Sequence, residues 1–238
     1  MPARPYFDDR QCVIYHGDCR EILPGLGKFD LLLTDPPWGI GLRTDFGSRR
    51  GKRSGRIGKS GGKSGGSRRD HPEVTGDDRP FDPAHILDLA PNRILWGANN
   101  YSSRLPNSPC WLAWDRQTDG TDATDIELAW VSGHRFRTVR VFRHLWCGVR
   151  RATESAGHGG SWLHPMQKPV ALMRWCLSFF PDAKTVIDPY MGSGPVARAC
   201  KDAGLSYVGI EIEERYCQMA AKRLGQQVLD FGPLEVAR

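Results

Sequence analysis

The sequence predicts an α/β fold, a mostly parallel β-sheet with helices on both faces. Three observations carry that expectation. Short apolar runs of strand length alternate with segments of helical periodicity along most of the chain. Near the C-terminus a strand passes through a glycine turn into a helix and on to another strand, the order of a βαβ unit. The 238 residues are 39% hydrophobic and 25% charged, enough apolar material for a core and too much for a disordered chain.

The elements follow in order. Residues 11–16 read as a short strand with Val13 and Tyr15 on one face, and 29–34, Phe-Asp-Leu-Leu-Leu-Thr, as a buried strand. Further strands are expected at 92–96 and 110–114, at 137–142, where apolar and basic residues alternate, and at 184–188 and 206–212. A helix over 169–180 sets Leu172, Trp175, Cys176 and Phe179 on one face, with Pro169 suited to its first turn. A helix over 195–203 stops at Gly204. A helix over 213–224 opens with two acids and turns Tyr216, Cys217, Ala220 and Leu224 inward. Trp111, Trp114, Trp130 and Trp146 are expected in the core.

Charge is unevenly distributed. Residues 47–70 hold nine cations, Arg49, Arg50, Lys52, Arg53, Arg56, Lys59, Lys63, Arg68 and Arg69, against one acid, Asp70, whereas the whole chain is only +6. Eight Gly and five Ser fill most of the rest, and Ile57 is the only large apolar residue, so a flexible basic loop over about 43–78 is expected. Gly58-Lys59-Ser60 and Gly62-Lys63-Ser64 lack the preceding glycine of a nucleotide-binding P-loop, since Arg53 and Ile57 stand there. Such a segment suits a nucleic-acid backbone. Arg135, Arg137, Arg140 and Arg143 form a second basic stretch. It reads equally as a strand following phosphates, with Arg137 and Arg140 in contact, or as a sheet edge protected by charge.

The seven cysteines are odd in number and form no Cys-x-x-Cys pair, which points to a reducing, cytoplasmic setting without a structural metal. No apolar run approaches about 18 residues and the first residues lack an apolar signal core, so neither a membrane span nor secretion is expected.

Two segments carry chemistry. The first is Asp188-Pro189-Tyr190-Met191-Gly192-Ser193-Gly194. Its glycines let backbone approach a ligand, the helix beyond favours negative charge, and Glu211 closes the next strand, placed to accept ribose hydroxyl protons. Nicotinamide enzymes share this pattern, and a tight turn without ligand would also produce it. The second is Thr34-Asp35-Pro36-Pro37-Trp38 at the end of an apolar strand, the edge where open parallel sheets bind ligands. The prolines hold a carboxylate, a carbonyl and an aromatic ring together, a set that suits an exocyclic amine on a flat ring. Asp35 accepts one N–H, the Pro36 carbonyl accepts the other, and Trp38 stacks on the ring. Pro109-Cys110 could supply a thiolate nucleophile, but Cys110 opens an apolar strand and reads as core.

Asp35-Pro36-Pro37-Trp38 resembles the catalytic motif of DNA amino-methyltransferases, and 188–194 resembles their S-adenosylmethionine motif. The order, catalytic motif first and cofactor motif last, is similar to that of the permuted β group. His164-Pro165-Met166-Gln167-Lys168-Pro169 resembles the family segment ahead of the helix that flanks the methionine end of the cofactor. Residues 94–99 and 111–115 look like its middle strands, and Gly17-Asp18 like the pair near the cofactor adenine. The resemblance implies a Rossmann-like domain spanning 1–238, with a very short target-recognition segment at about 147–163 and hence relaxed sequence preference. It implies DNA as partner and S-adenosylmethionine as cofactor, held by Asp18, Asp35, Lys168, Asp188, Pro189, Gly192, Ser193, Gly194 and Glu211. It implies methyl transfer to adenine N6, with cytosine N4 as the alternative and an idle DNA-binding relative as a further one. A restriction–modification or phage setting would follow, and a homodimer stays open. The sequence departs from the family at Pro195 and Val196, where two hydroxyl residues are usual, and at Met166, where threonine is usual. Both departures bear on how the methionine carboxylate is held.

Overall fold

The computed structural model describes residues 3–41, 74–118, 124–133, 137–147, 150–153 and 167–225. The basic stretch 47–70, His164 to Met166 and most of 147–163 lie outside the described residues.

In chain order the strands and helices are β1 (Phe7–Asp8), β2 (Cys12–His16), α1 (Cys19–Ile22), β3 (Leu31–Thr34), α2 (Ala84–Leu87), β4 (Asn92–Trp96), β5 (Cys110–Asp115), β6 (Ile126–Ser132) and β7 (Val139–Arg143). The hairpin strands β8 (Trp146–Cys147) and β9 (Arg150–Arg151) precede α3 (Val170–Leu177), β10 (Thr185–Asp188), α4 (Pro195–Asp202), β11 (Ser206–Glu211) and α5 (Glu214–Gly225). Among the described residues nine strands form one sheet in the order β1-β2-β11-β10-β3-β4-β6-β5-β7. Only β1 and β6 run against the others.

The centre of this sheet is covered on both faces. In β3, Leu31 and Leu33 point into one core with residues of α3, α4 and α5, while Leu32 points into the other with Ile22 of α1 and Ile86 of α2. That double burial is why the strand reads as an unbroken apolar run. Trp114, Trp130 and Trp146 are buried, and Trp111 is partly buried against the second core. The inward face expected for the last helix is the one observed, Tyr216, Cys217, Ala220 and Leu224.

The helix ends follow local chemistry. Gly194, at φ +78°, caps α4, and Pro195 occupies its first turn, where a missing N–H costs no hydrogen bond. Gly204, at φ +69°, follows its C-cap. Glu214 opens α5 and Lys222 and Arg223 close it, in line with the helix dipole.

Sequence and structure differ in several places, and the two-residue strands β1, β8 and β9 are too short to show a period. Strand β6 was not expected, because its run Ile-Glu-Leu-Ala-Trp-Val-Ser fits either periodicity. Helices α1 and α2 have four residues each, too few to show a repeat. The basic strand begins at Val139, leaving Arg137 ahead of it, and β7 is the sheet's outer strand with Arg140 exposed. No helix among the described residues is long and apolar enough to cross a membrane.

Because β3 carries Asp35 at its end, its burial also fixes the site. Replacing Leu32, which has no exposed surface, by alanine is expected to cost about 2–5 kcal/mol. Urea denaturation of Leu32→Ala beside the parent chain measures it.

Candidate active site

Parallel packing brings several strand ends to one edge of the sheet. Thr34 ends β3, Asp188 ends β10, Glu211 ends β11 and His16 ends β2 just before Gly17 and Asp18. Between them lies one cleft of about 290 Å³ lined by Asp18, Asp35, Pro36, Trp38, Lys168, Asp188, Gly192, Ser193 and Glu211, among others. The two motifs, more than 150 residues apart in sequence, therefore share one cavity.

Asp188 ties them together. Its Oδ1 accepts from Thr34 Oγ1 at 2.7 Å and from the Tyr190 N–H at 3.2 Å, and Tyr207 donates to Oδ2 at 3.4 Å. Burial nevertheless pushes its carboxyl up to about 7. Glu211 does similar work one strand over. Its two oxygens accept the Gly192 and Glu213 N–H groups at 2.8 Å each, so it holds the glycine turn against the next strand. Burial raises its carboxyl above the ordinary range. Asp18 caps α1 through the Arg20 N–H at 2.9 Å and lines the cleft.

The chemistry of the turn fits a nucleotide-like methyl donor. Gly192 has φ +55°, and Gly194 leaves no room for a side chain, since a Cβ there would lie 2.8 Å from Ala220 Cβ. Among the described residues the Ser193 hydroxyl, which is buried, has no hydrogen-bond partner, leaving a free polar group at the cleft. After two backbone bonds each Glu211 oxygen keeps acceptor capacity for a diol.

Asp35 lines the same cleft, partly exposed, with both oxygens engaged. Trp38 Nε1 donates to Oδ1 at 3.1 Å, and Lys168 Nζ lies 2.5 Å from Oδ2. The indole is seated on Gly97, at φ +69°, where a Cβ would lie 1.9 Å from Trp38 Nε1. Lys168 Nζ sits 5.2 Å above the indole ring. Lys168 also meets Glu127 of β6 at 3.0 Å, and Glu127 in turn meets Arg116 at 3.0 Å. Lys168 is only 3% exposed, and its two carboxylates hold it protonated against the cost of burial. Burial lifts the Asp35 carboxyl above the ordinary aspartate range, opposed by Lys168 and the Trp38 N–H.

The resemblance assigns Lys168 to the cofactor, and here the lysine lies beside Asp35, with its ammonium on Asp35 and Glu127. Glu127 and Arg116 went unnoticed in sequence. The one signal for them is a lone acid inside the apolar run of β6 and a lone cation just past β5. Asp77 adds a clamp. It accepts the Gly39 N–H at 2.7 Å and the Ile40 N–H at 3.3 Å, while its backbone bonds Gly41 and Val74. Residues 74–78, inside the stretch expected to be a loop, thus form a turn at the cleft mouth with Asp77 buried. Among the described residues no group of three His, Cys, Asp or Glu is arranged to hold a metal ion.

A mixed sheet with the two motifs at the ends of β3 and β10 defines an α/β fold of the Rossmann-like methyltransferase class. Known structures agree at the level of fold. A cytosine-N4-specific PvuII DNA methyltransferase superposes with a TM-score of 0.61 at 11% identity, covering 94% of this chain and 90% of that one. The M1.HpyAVI complex with S-adenosylmethionine gives 0.52 at 20% identity, covering 90% and 100%. The family model described as DNA methylase, for N6 and N4 methylation, matches residues 94–222, more than half of the chain. The chain belongs to this family of DNA amino-methyltransferases, whose cofactor is S-adenosylmethionine. Among its relatives are the type II methyltransferase M.HpaI of Haemophilus parainfluenzae, 37% identical over 73 residues, 30% of this chain and 23% of the relative. Another is M2.LlaDCHI of Lactococcus lactis subsp. cremoris, 25% identical over 143 residues, 57% of this chain and 51% of the relative. The matches span about half or less of these relatives' lengths.

The raised Asp188 carboxyl has a consequence for stability. Folded, it keeps its proton up to about pH 7, whereas the unfolded chain releases it above about pH 4. The folded state then binds more protons, so this group's contribution falls as pH rises through that window, by on the order of 2–4 kcal/mol. Urea midpoints of the ligand-free chain between pH 5 and 8 should fall accordingly, and Asp188→Asn should flatten the fall.

Proposed function

We propose that this chain transfers the methyl group of S-adenosylmethionine to the exocyclic amine of a DNA base drawn out of the duplex, adenine N6 in preference to cytosine N4. The observation that carries this reading is the shared cleft. An amine acceptor, Asp35, and a glycine turn with Glu211 and Ser193 line the same cavity. The aspartate that opens the 35–38 motif favours adenine.

The bound cofactor supplies an electrophilic methyl on a sulfonium. Glu211 would take the ribose hydroxyls, and Asp18, Asp188, Pro189, Gly192 and Ser193, which line the same cleft, would hold the rest of the cofactor together with the backbone of Gly194. Asp35 accepts one N–H of the target amine and the Pro36 carbonyl the other. These two acceptors localise the nitrogen lone pair, which is otherwise spread into the ring. Trp38 exchanges its bond to Asp35 for a stack on the base, worth about 1–3 kcal/mol against the few kcal/mol that unstacking costs. As the new N–CH3 bond forms and the old C–S bond breaks, the amine is left with an excess proton, and Asp35 takes it. Positioning supplies most of the acceleration.

Mass spectrometry of nucleosides from methylated DNA tests the reading. N6-methyladenine is the expected product. N4-methylcytosine alone overturns the choice of base, and no methylated nucleoside overturns the activity. Asp35→Ala should abolish transfer and leave cofactor affinity within a few-fold. Glu211→Ala should weaken cofactor binding at least tenfold, since charge-assisted hydrogen bonds contribute about 1.5–3 kcal/mol each.

DNA is held by the basic segment Arg49 to Arg69 and by Arg137 and Arg140. Support comes from the clamp at Asp77, which joins Gly41 and Val74, the residues bracketing that segment, at the mouth of the cleft. With about half of the nine cations on phosphates, deleting 47–70 should flatten the slope of log K against log salt by roughly four units. Salt titrations of both proteins on one duplex measure it, and equal slopes would remove the segment from the interface.

A further inference from the structure

We propose that Glu127, held in place by Arg116, is a positioning residue that sets how much of the Lys168 charge falls on Asp35, and so how good an acceptor Asp35 is for the target amine. The inference rests on the reading of Asp35 given above and extends it to a residue outside both motifs.

The geometry is a chain of four charges. Arg116 Nη1 meets Glu127 Oε1 at 3.0 Å, Glu127 Oε2 meets Lys168 Nζ at 3.0 Å, and Lys168 Nζ meets Asp35 Oδ2 at 2.5 Å. Two cations and two anions leave the group neutral, which suits its two buried members, Lys168 and Glu127. Arg116 is itself fixed, donating to the Trp146 carbonyl at 3.1 Å. Glu127 is 6% exposed, and β6, the reversed strand, brings its first residues to the edge where the parallel strands end.

That placement divides one ammonium between two carboxylates. On Asp35 alone, Lys168 would form an undivided ion pair and draw electron density from the oxygens that must accept the amine N–H. On Glu127 alone, it would leave the partly exposed Asp35 without a cation and prone to take up a proton. Arg116 balances Glu127 so that neither limit is reached. The charged and titratable groups facing Asp35 are Lys168 from the segment before α3, Glu127 from β6, Asp188 from β10 and Tyr101 after β4. Of the two acids, Glu127 shares the lysine with Asp35 and Asp188 does not.

Two neutral substitutions move the balance in opposite directions. In Glu127→Gln a like charge near Asp35 is lost, so Asp35 stays ionised to lower pH. The acid limb of the kcat profile should shift down by about one pH unit, and kcat on the plateau should fall about tenfold as Lys168 settles on Asp35. In Arg116→Gln, which can still donate to the Trp146 carbonyl, Glu127 draws Lys168 away and the acid limb should move up. Calorimetric affinity for S-adenosylmethionine should stay within twofold of the parent in both. A merely structural role for Glu127 would lower activity without moving the limb. Acid limbs that stay put, or that move the same way in both variants, overturn the proposal. If Glu127→Gln does not fold, Arg116→Gln decides alone, an upward limb supporting the proposal and an unmoved one overturning it. Asp35→Ala is the control for the underlying reading. Retained methyl transfer there overturns that reading, whereas an inactive Asp35→Ala beside unmoved limbs overturns only the role of Glu127.

Discussion

A single buried ammonium, Lys168, holds three separate parts of the chain together. One carboxylate comes from the loop after β3, the other from the reversed strand β6, and the lysine from the segment ahead of α3. A buried cation is costly unless it is paired and its partners are satisfied. Here it contacts two acids, and one of those is in turn neutralised by Arg116. The 35–38 motif, the middle of the sheet and the entry to α3 must therefore be assembled for the lysine to be accommodated. A network of this kind ties the geometry of a site to completion of the fold.

A second set of contacts joins the two motifs. Thr34 reaches from β3 to Asp188 on β10, and Glu211 reaches from β11 to the glycine turn. These bonds use acids that sequence patterns associate with ligands. Asp188 has its acceptors filled from within, with Thr34, Tyr190 and Tyr207 as donors. Glu211 combines both uses, since it braces the turn and still faces the cleft. The same side chain can thus hold the architecture and present an acceptor, because a carboxylate offers about four acceptor positions and the backbone takes only some of them.

Trp38 shows how the site is kept ready. Its indole rests on Gly97 with its N–H on Asp35 and its face toward Lys168. A partly buried acceptor left without donors would be costly. Here the tryptophan satisfies Asp35, and under the proposed function a base N–H would take over that bond at little net cost. The clamp at Asp77 bears on the same loop, since it pins Gly39 and Ile40 directly after Trp38.

The sequence by itself determined the parts that depend on local chemistry. The apolar run of β3, the glycine turn at 192–194, the proline at the start of α4 and the inward stripe of α5 are periodicities and backbone preferences, and each is visible within a dozen residues. The motifs at 35–38 and 188–194 could be found for the same reason, as short stretches that need unusual backbone. What tertiary structure alone decided is which charges meet. Glu127 belongs to a strand that periodicity did not reveal. Arg116 is a single cation with no pattern around it, Lys168 was legible as part of the 164–169 segment but not as the partner of Asp35 and Glu127, and the basic edge strand read equally well as two things. Electrostatic pairing depends on distances of a few ångströms between residues far apart in sequence. Those distances exist only once the reversed strand β6 has been inserted between β4 and β5.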